Sequence, residues 1–250
     1  MRLVNVTNHS YSIGVRILRA IPIRIPYMTT LTTPPLSTLL PRLLADAEAT
    51  SKQMTQLSPE EREKLRTSPT DYQALYSRMK DFHLAVSRET GVLLYMLARA
   101  TAARAIVEFG TSFGVSTLHL AAALRDNGGG RLISTEFEPS KVGHARENLA
   151  AAGLSDLVEI REGDALETLA RDLPDSIDLV LLDGAKPLYP RILSLIESRL
   201  RVGALIVADN ADWCPDYLAL VRSPSGGYLS VPFAADVELS MKLGPAWATQ

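Results

Sequence analysis

Cysteine is almost missing from this 250-residue chain: Cys214 stands alone. An internal disulfide is therefore excluded, one thiolate is too few for a sulfur-ligated metal site, and a reducing, cytoplasmic setting is expected. Long apolar runs are missing too. No stretch approaches the ~18 residues needed to span a bilayer, so integral membrane association is not expected. Neither sign of charge is in excess, with 26 Lys and Arg against 28 Asp and Glu and a formal net charge of −2. That balance removes the electrostatic case for nucleic acid or an anionic membrane as partner and leaves a small molecule. Acidic residues are absent before Asp46, while Arg2, Arg16, Arg19, Arg24 and Arg42 are present among scattered Ser and Thr. This is the composition of an organelle transit peptide. The alternative, which we favour, is a start at Met28. Either way residues 1–35 read as an N-terminal extension, disordered or transit-like, with import through 1–27 as the transit reading. The triplets Asn5-Val-Thr7 and Asn8-His-Ser10 match glycosylation sequons but follow no secretory signal.

What is present is a core. At 46% hydrophobic and 22% charged residues the chain can build one sizeable domain with an appendage. Residues 36–103 read as a polar helical cap segment, in which "SPEEREKLRT" carries a Ser58 cap, Pro59 in the first turn and Glu60 and Glu61 behind it. From 104 to 250 the texture changes. Five short apolar runs, 105–110, 131–137, 157–163, 177–183 and 204–210, alternate with segments of helical periodicity, which predicts a parallel sheet wound on both sides. Two further runs, 227–233 and 236–243, are separated only by Ala234 and Ala235 and should pair as an antiparallel hairpin. The expected fold is α/β: a Rossmann-like, doubly wound, seven-stranded sheet, mostly parallel, with an N-terminal helical cap.

In such a sheet ligands bind beyond the carboxyl ends of the strands, where strand order reverses. Acidic residues gather at those ends. Glu108 precedes the loop "GTSFG", Glu136 ends the second strand, Asp164 follows the third, and Asp183 ends the fourth in "DLVLLDGAKPLY"; "ALIVADN" stops at Asp209 and Asn210. Gly110 and Gly114 permit a tight turn near a ligand, but Ser112 stands where a dinucleotide fingerprint wants its middle glycine. Four carboxylates on one rim would repel a pyrophosphate and suit a cationic ligand such as the ammonium and sulfonium of S-adenosylmethionine. Glu136 is placed to accept ribose hydroxyls. Taken singly, each carboxylate is more simply a solvated strand end or a helix cap, Asp164 above all. A nicotinamide-dependent oxidoreductase of the same fold and a non-catalytic cofactor-binding protein remain the rival readings.

Together "VEFGTSFGVSTLHLA", "STEFEPSKVGHARENL", "REGDALETL", "DLVLLDGAKPLY" and "GALIVADN" resemble, in order and spacing over about 82–243, the class I methyltransferases. Within these they look like the cation-dependent O-methyltransferases that include catechol and caffeoyl-CoA O-methyltransferases. The resemblance implies S-adenosylmethionine as cofactor, held by Val86, Ser87, Glu108, Gly110, Ser116, Glu136, Asp164, Ala165 and Asp183. It implies a divalent cation, magnesium, on Asp183, Asp209 and Asn210, a ligand set whose hard oxygen donors suit that ion. It makes Lys186 the general base, working with Asp183 on a small catechol-like acceptor. Metal-independent O- or N-methyl transfer is the alternative within the family, and a homodimer through 36–80 follows by analogy. His119 reads as a helix residue and His144 as surface. His83, Tyr189 and Trp213 are candidates for the substrate mouth, while "DGAK" lacks the aromatic or second acidic residue found there in many relatives.

Overall fold

A computed structural model describes residues 28–244, apart from 55–57, 59, 61–62, 65–67, 69 and 71. The transit-like segment 1–27 and, from the helix start expected at 58–61, Pro59 and Glu61 lie outside the described residues. A seven-stranded sheet runs in the order β3-β2-β1-β4-β5-β7-β6. Its strands are β1 (Ala105–Phe109), β2 (Arg131–Glu136), β3 (Val158–Glu162), β4 (Ile177–Leu182), β5 (Leu200–Ala208), β6 (Tyr228–Pro232) and β7 (Glu238–Lys242). The first five are parallel; β7 pairs antiparallel with β5 and with β6. The doubly wound sheet with a closing hairpin is as expected.

Side-chain alternation along the central strands divides the core in two. Ile106, Leu179, Leu181 and Val207 face one side with α1 (Leu36–Met54), α3 (Arg88–Ala100) and α4 (Val115–Asp126). Val107, Phe109, Val180, Leu182 and Ile206 face the other with α7 (Tyr189–Ile196) and α8 (Pro215–Arg222). Both faces of the middle strands are covered, which is why they read as unbroken apolar runs. Shorter helices α2 (Tyr72–Ser77) and α6 (Ala165–Thr168), and α5 (Pro139–Ala151), complete the chain.

Two boundaries differ from the sequence reading. The fifth strand, expected over 204–210, begins earlier: the preceding helix ends at Ile196 and β5 begins at Leu200. Between the pairs Ile177↔Leu200 and Leu179↔Leu205 the fifth strand carries extra residues, with Gly203 at φ 79°. This bulge breaks the apolar pattern that would have marked the strand. The hairpin loop is longer than Ala234-Ala235, because Phe233 N donates to Val237 O at 2.8 Å and closes the turn over 233–237. Residues 28–35, read with the extension, are instead docked: Thr30 donates from N and Oγ1 to Asp126 at 3.0 and 2.6 Å, and Tyr95 Oη donates to the same carboxylate at 2.6 Å.

The packing of α3 on α4 turns on one close approach. His119 is buried with Nδ1 2.8 Å from Val115 O, and a Cβ on Gly91 would lie 2.7 Å from its ring. As a helix-packing residue, His119 matches its sequence reading. Gly91→Ala should destabilise the fold by about 1–3 kcal/mol through overpacking. Gly143→Ala, inside α5 with nothing within 4 Å of the new methyl, should instead stabilise by about 0.5–1 kcal/mol. Urea denaturation of the two variants beside the parent chain checks both signs.

Candidate active site at the carboxyl edge of the sheet

Strand order reverses between β1 and β4, whose neighbours lie on opposite sides, so the loops after these strands diverge and leave a crevice. Asp183 N donates to Phe109 O at 2.8 Å, keeping the loops together at their roots. Gly110, at φ 104°, passes so near that a Cβ there would lie 2.5 Å from Asp183 O. Only glycine fits this backbone and this distance.

The cleft above is lined by Gly110, Ser112, Ser116, Glu136, Asp164, Ala165 and Asp183, among others. Six of the residues expected to hold cofactor, all but Ser112 in that group, therefore come together. Glu136 is aimed by two backbone amides: Ser112 N donates to Oε2 at 2.9 Å and Glu138 N to Oε1 at 3.0 Å. Ser112 takes φ 49°, the left-handed conformation that a glycine would adopt freely, so the missing fingerprint glycine leaves its conformation behind. Its buried Oγ finds no partner within the protein. Asp164 is the N-cap of α6, its Oδ1 accepting from Leu166 N at 2.9 Å, and the residue still lines the cleft.

Glu108 does not reach the rim. It lies fully buried beneath the cleft, where Ser116 Oγ, Thr117 Oγ1 and Ser134 Oγ donate to it at 2.5, 2.6 and 2.5 Å. Burial pushes its carboxyl up to about 7, against the three hydroxyls that favour the charged form. Val86 and Ser87 also stand apart. Val86 is core, Ser87 Oγ caps α3 by accepting from Thr90 N at 3.0 Å, and both line a second cleft.

Asp183 lines the first cleft. Lys186 Nζ donates to its Oδ1 at 2.8 Å, and both side chains are largely buried. Burial alone would lower the lysine, but the carboxylate of Asp183, with Tyr189, Tyr76 and Asp209 behind it, outweighs burial and holds Lys186 well above the ordinary lysine value. Asp209, also buried, is pushed up to about 8 by desolvation and then by Asp183, so it keeps a proton at neutral pH. Asn210 follows in a left-handed turn and donates Nδ2 to Asp236 Oδ2 at 3.1 Å, so the hairpin loop braces it. Among the described residues no three His, Cys, Asp or Glu side chains form a metal-sized cluster; the candidate set is two carboxylates and one amide. Those donors are all oxygens and fit a hard divalent ion.

The second cleft is bounded by Pro41, Leu44 and Ala47 of α1, by Phe82 and His83, and by Asn210 and Trp213. Trp213 and His83 are therefore where a substrate mouth was expected. Tyr189 is not: it is fully buried, with Oη donating to Asp209 O at 2.7 Å, because α7 faces the core. His144 is exposed as expected, 3.4 Å from Glu147. Leu84 and Ala85 line both clefts.

Residues 107–211 match a family described as a methyltransferase domain. Over those residues the chain is similar to methyltransferase domains. It is 37% identical over 130 residues to a catechol O-methyltransferase of Niastella koreensis, covering 51% of this chain and 58% of that protein. It is 38% identical over 127 residues to a catechol O-methyltransferase of Mycobacterium tuberculosis, covering 51% and 57%. The chain thus spans little more than half the length of these curated relatives. Among solved structures, the O-methyltransferase TomG of Streptomyces achromogenes, involved in tomaymycin synthesis and solved with its SAM, is similar at TM-score 0.58 and 29% identity, covering 72% of this chain and 90% of that one.

The first cleft is also lined by residues that the sequence did not single out. Tyr72 and Tyr76 of α2 and Lys141 of α5 line the first cleft. Tyr72 and Tyr76 are four apart and so share a helix face, the one signal the sequence offered. Lys141 is buried, 5.9 Å over the Phe113 ring, with burial lowering it and Glu136 and Glu138 partly restoring it. Among the described residues no helix is long and apolar enough to cross a membrane.

Glu108 sets a pH dependence. Its folded value lies above the ordinary carboxyl value of 4.5, so between about 4.5 and about 7 the folded domain holds a proton that the unfolded chain has lost, and stability falls as pH rises. Glu108→Gln should flatten this slope, which for one group is at most about 1.4 kcal/mol per pH unit. Melting curves of both proteins between pH 5 and 8 give the comparison; parallel slopes would refute the assignment.

Proposed function

We propose that the chain is an S-adenosylmethionine-dependent O-methyltransferase that acts on a small aromatic, catechol-like acceptor, with a divalent cation that would orient the acceptor. One observation carries the reading: Asp183 lines the first cleft while its carboxylate is bonded to Lys186 and lies against Asp209, next to the cleft of Asn210 and Trp213. The names of the relatives supply the direction of the chemistry.

In this reading Glu136, with its oxygens fixed by two amides, takes the ribose hydroxyls, Ser112 Oγ gains a partner, and Asp164 and Ala165 border the adenine. S-adenosylmethionine supplies an electrophilic methyl on its sulfonium. The cation, magnesium here, would be held by Asp183, Asp209 and Asn210 and would supply Lewis acidity to the acceptor oxygens. Desolvation and the neighbouring Asp183 both disfavour negative charge on Asp209, a cost that a cation held between the two carboxylates would offset. Lys186 Nζ then accepts the acceptor's hydroxyl proton. It does so only when the surrounding carboxylates are neutralised, since in their free form they keep the amine charged. The apolar and aromatic walls of the second cleft suit a flat ring.

Metal-independent methyl transfer is the second reading, favoured by one feature: Lys186 already offsets Asp183, and Asn210 is turned to Asp236. An acceptor screen with methyl-labelled cofactor, run with EDTA and with added magnesium, separates the two; activity indifferent to EDTA removes the metal. Asp209→Ala should cost at least about a hundredfold in turnover with magnesium, the size expected for a lost charge-stabilising group, and leave cofactor affinity nearly unchanged. Lys186→Ala should lower kcat far more than cofactor affinity, and an unaltered rate would remove it as the base.

A further inference from the structure

The first cleft has a roof made by the helical cap. Helix α2 crosses its mouth, with Tyr72 and Tyr76 facing the cleft and packing beside the cluster of α7 and α8. Side-chain bonds fasten it to the rim at both ends. Tyr72 Oη donates to Asp164 Oδ2 at 2.5 Å, Gln73 Nε2 donates to the same oxygen at 3.2 Å, and Ser77 Oγ donates to Glu138 Oε2 at 3.1 Å.

The anchor is well made at Asp164. Its Oδ1 is already fixed by Leu166 N at the start of α6, so the carboxylate cannot swing, and Oδ2 presents one orientation to the cap. The Tyr72 hydroxyl is pushed up to about 12, first by burial and then by Asp164, so it stays a donor throughout the physiological range. A phenol donating to a carboxylate is a charge-assisted bond, stronger than the neutral bonds usual between packed segments. The Ser77–Glu138 bond pins the far end, one turn further along the helix. Both tyrosines border the cleft that a ligand would occupy.

We propose that Tyr72 is a positioning residue for the cofactor: acting through Asp164, it holds α2 closed over the cleft and slows the escape of bound ligand. The proposal rests on the reading of this cleft as the S-adenosylmethionine site. It differs from a packing role, because the phenyl ring of Tyr72→Phe keeps the apolar contacts and loses only the latch.

The test uses the full chain and S-adenosylhomocysteine. Stopped-flow or surface-plasmon measurements on Tyr72→Phe should show dissociation faster by about tenfold, the loss of one hydrogen bond to a charged group, with the melting midpoint unchanged. Ser77→Ala should move dissociation in the same direction by a smaller factor. Amide exchange over 72–80 without ligand should also be faster in Tyr72→Phe. Unchanged dissociation overturns the proposal, and so does slower dissociation, which would mean that Tyr72 competes with the ligand for Asp164. Failure of the parent chain to bind S-adenosylhomocysteine would overturn the cofactor reading as well, whereas binding with unaltered rates removes only the role of Tyr72.

Discussion

The approach of β1 to β4 is the constraint on which the rest depends. Asp183 N meets Phe109 O, and Gly110 runs so close to the Asp183 carbonyl that no side chain fits between them. Because the two strands belong to oppositely wound halves, their loops part immediately beyond this contact. The loop that follows β1 and the loop that carries Asp183 and Lys186 are therefore adjacent at their bases and open above. Chemistry between two ligands needs that arrangement: a shared floor and separate entrances.

Charge is concentrated where burial makes it costly. Glu108, Asp183, Lys186 and Asp209 all lie at or beneath the floor, and the protein meets the cost differently for each. Glu108 receives three hydroxyls, Asp183 receives an ammonium, and Asp209 keeps its proton. An unpaired buried charge would be worth several kcal/mol of destabilisation.

The fold was largely legible because parallel strands covered on both faces are written as continuous apolar runs, and these need no tertiary information to be seen. The strand ends at Asp183, Asp209 and Glu136 were legible for the same reason, as each marks where a run stops. Legibility failed where the pattern was broken by backbone geometry, as at the Gly203 bulge and the 233–237 turn. It failed again where a polar residue points into the structure from a position that looks exposed. Glu108 was taken for a rim carboxylate because sequence position cannot tell the top of a strand from its interior when hydroxyls on α4 and β2 come to meet it. Ser87 was assigned to a ligand although its hydroxyl caps α3. Tyr72 and Lys141 were invisible, since their significance comes from which residue 92 positions away, or which ring, lies opposite.

Leu84 and Ala85 form a common wall, one face toward each cleft. A change of side-chain volume at either residue alters both cavities at once. The volumes of the two clefts are thus not independent in this protein: a change confined to the second must come from the α1 and Trp213 side, where that cleft can be reshaped while the first is left intact.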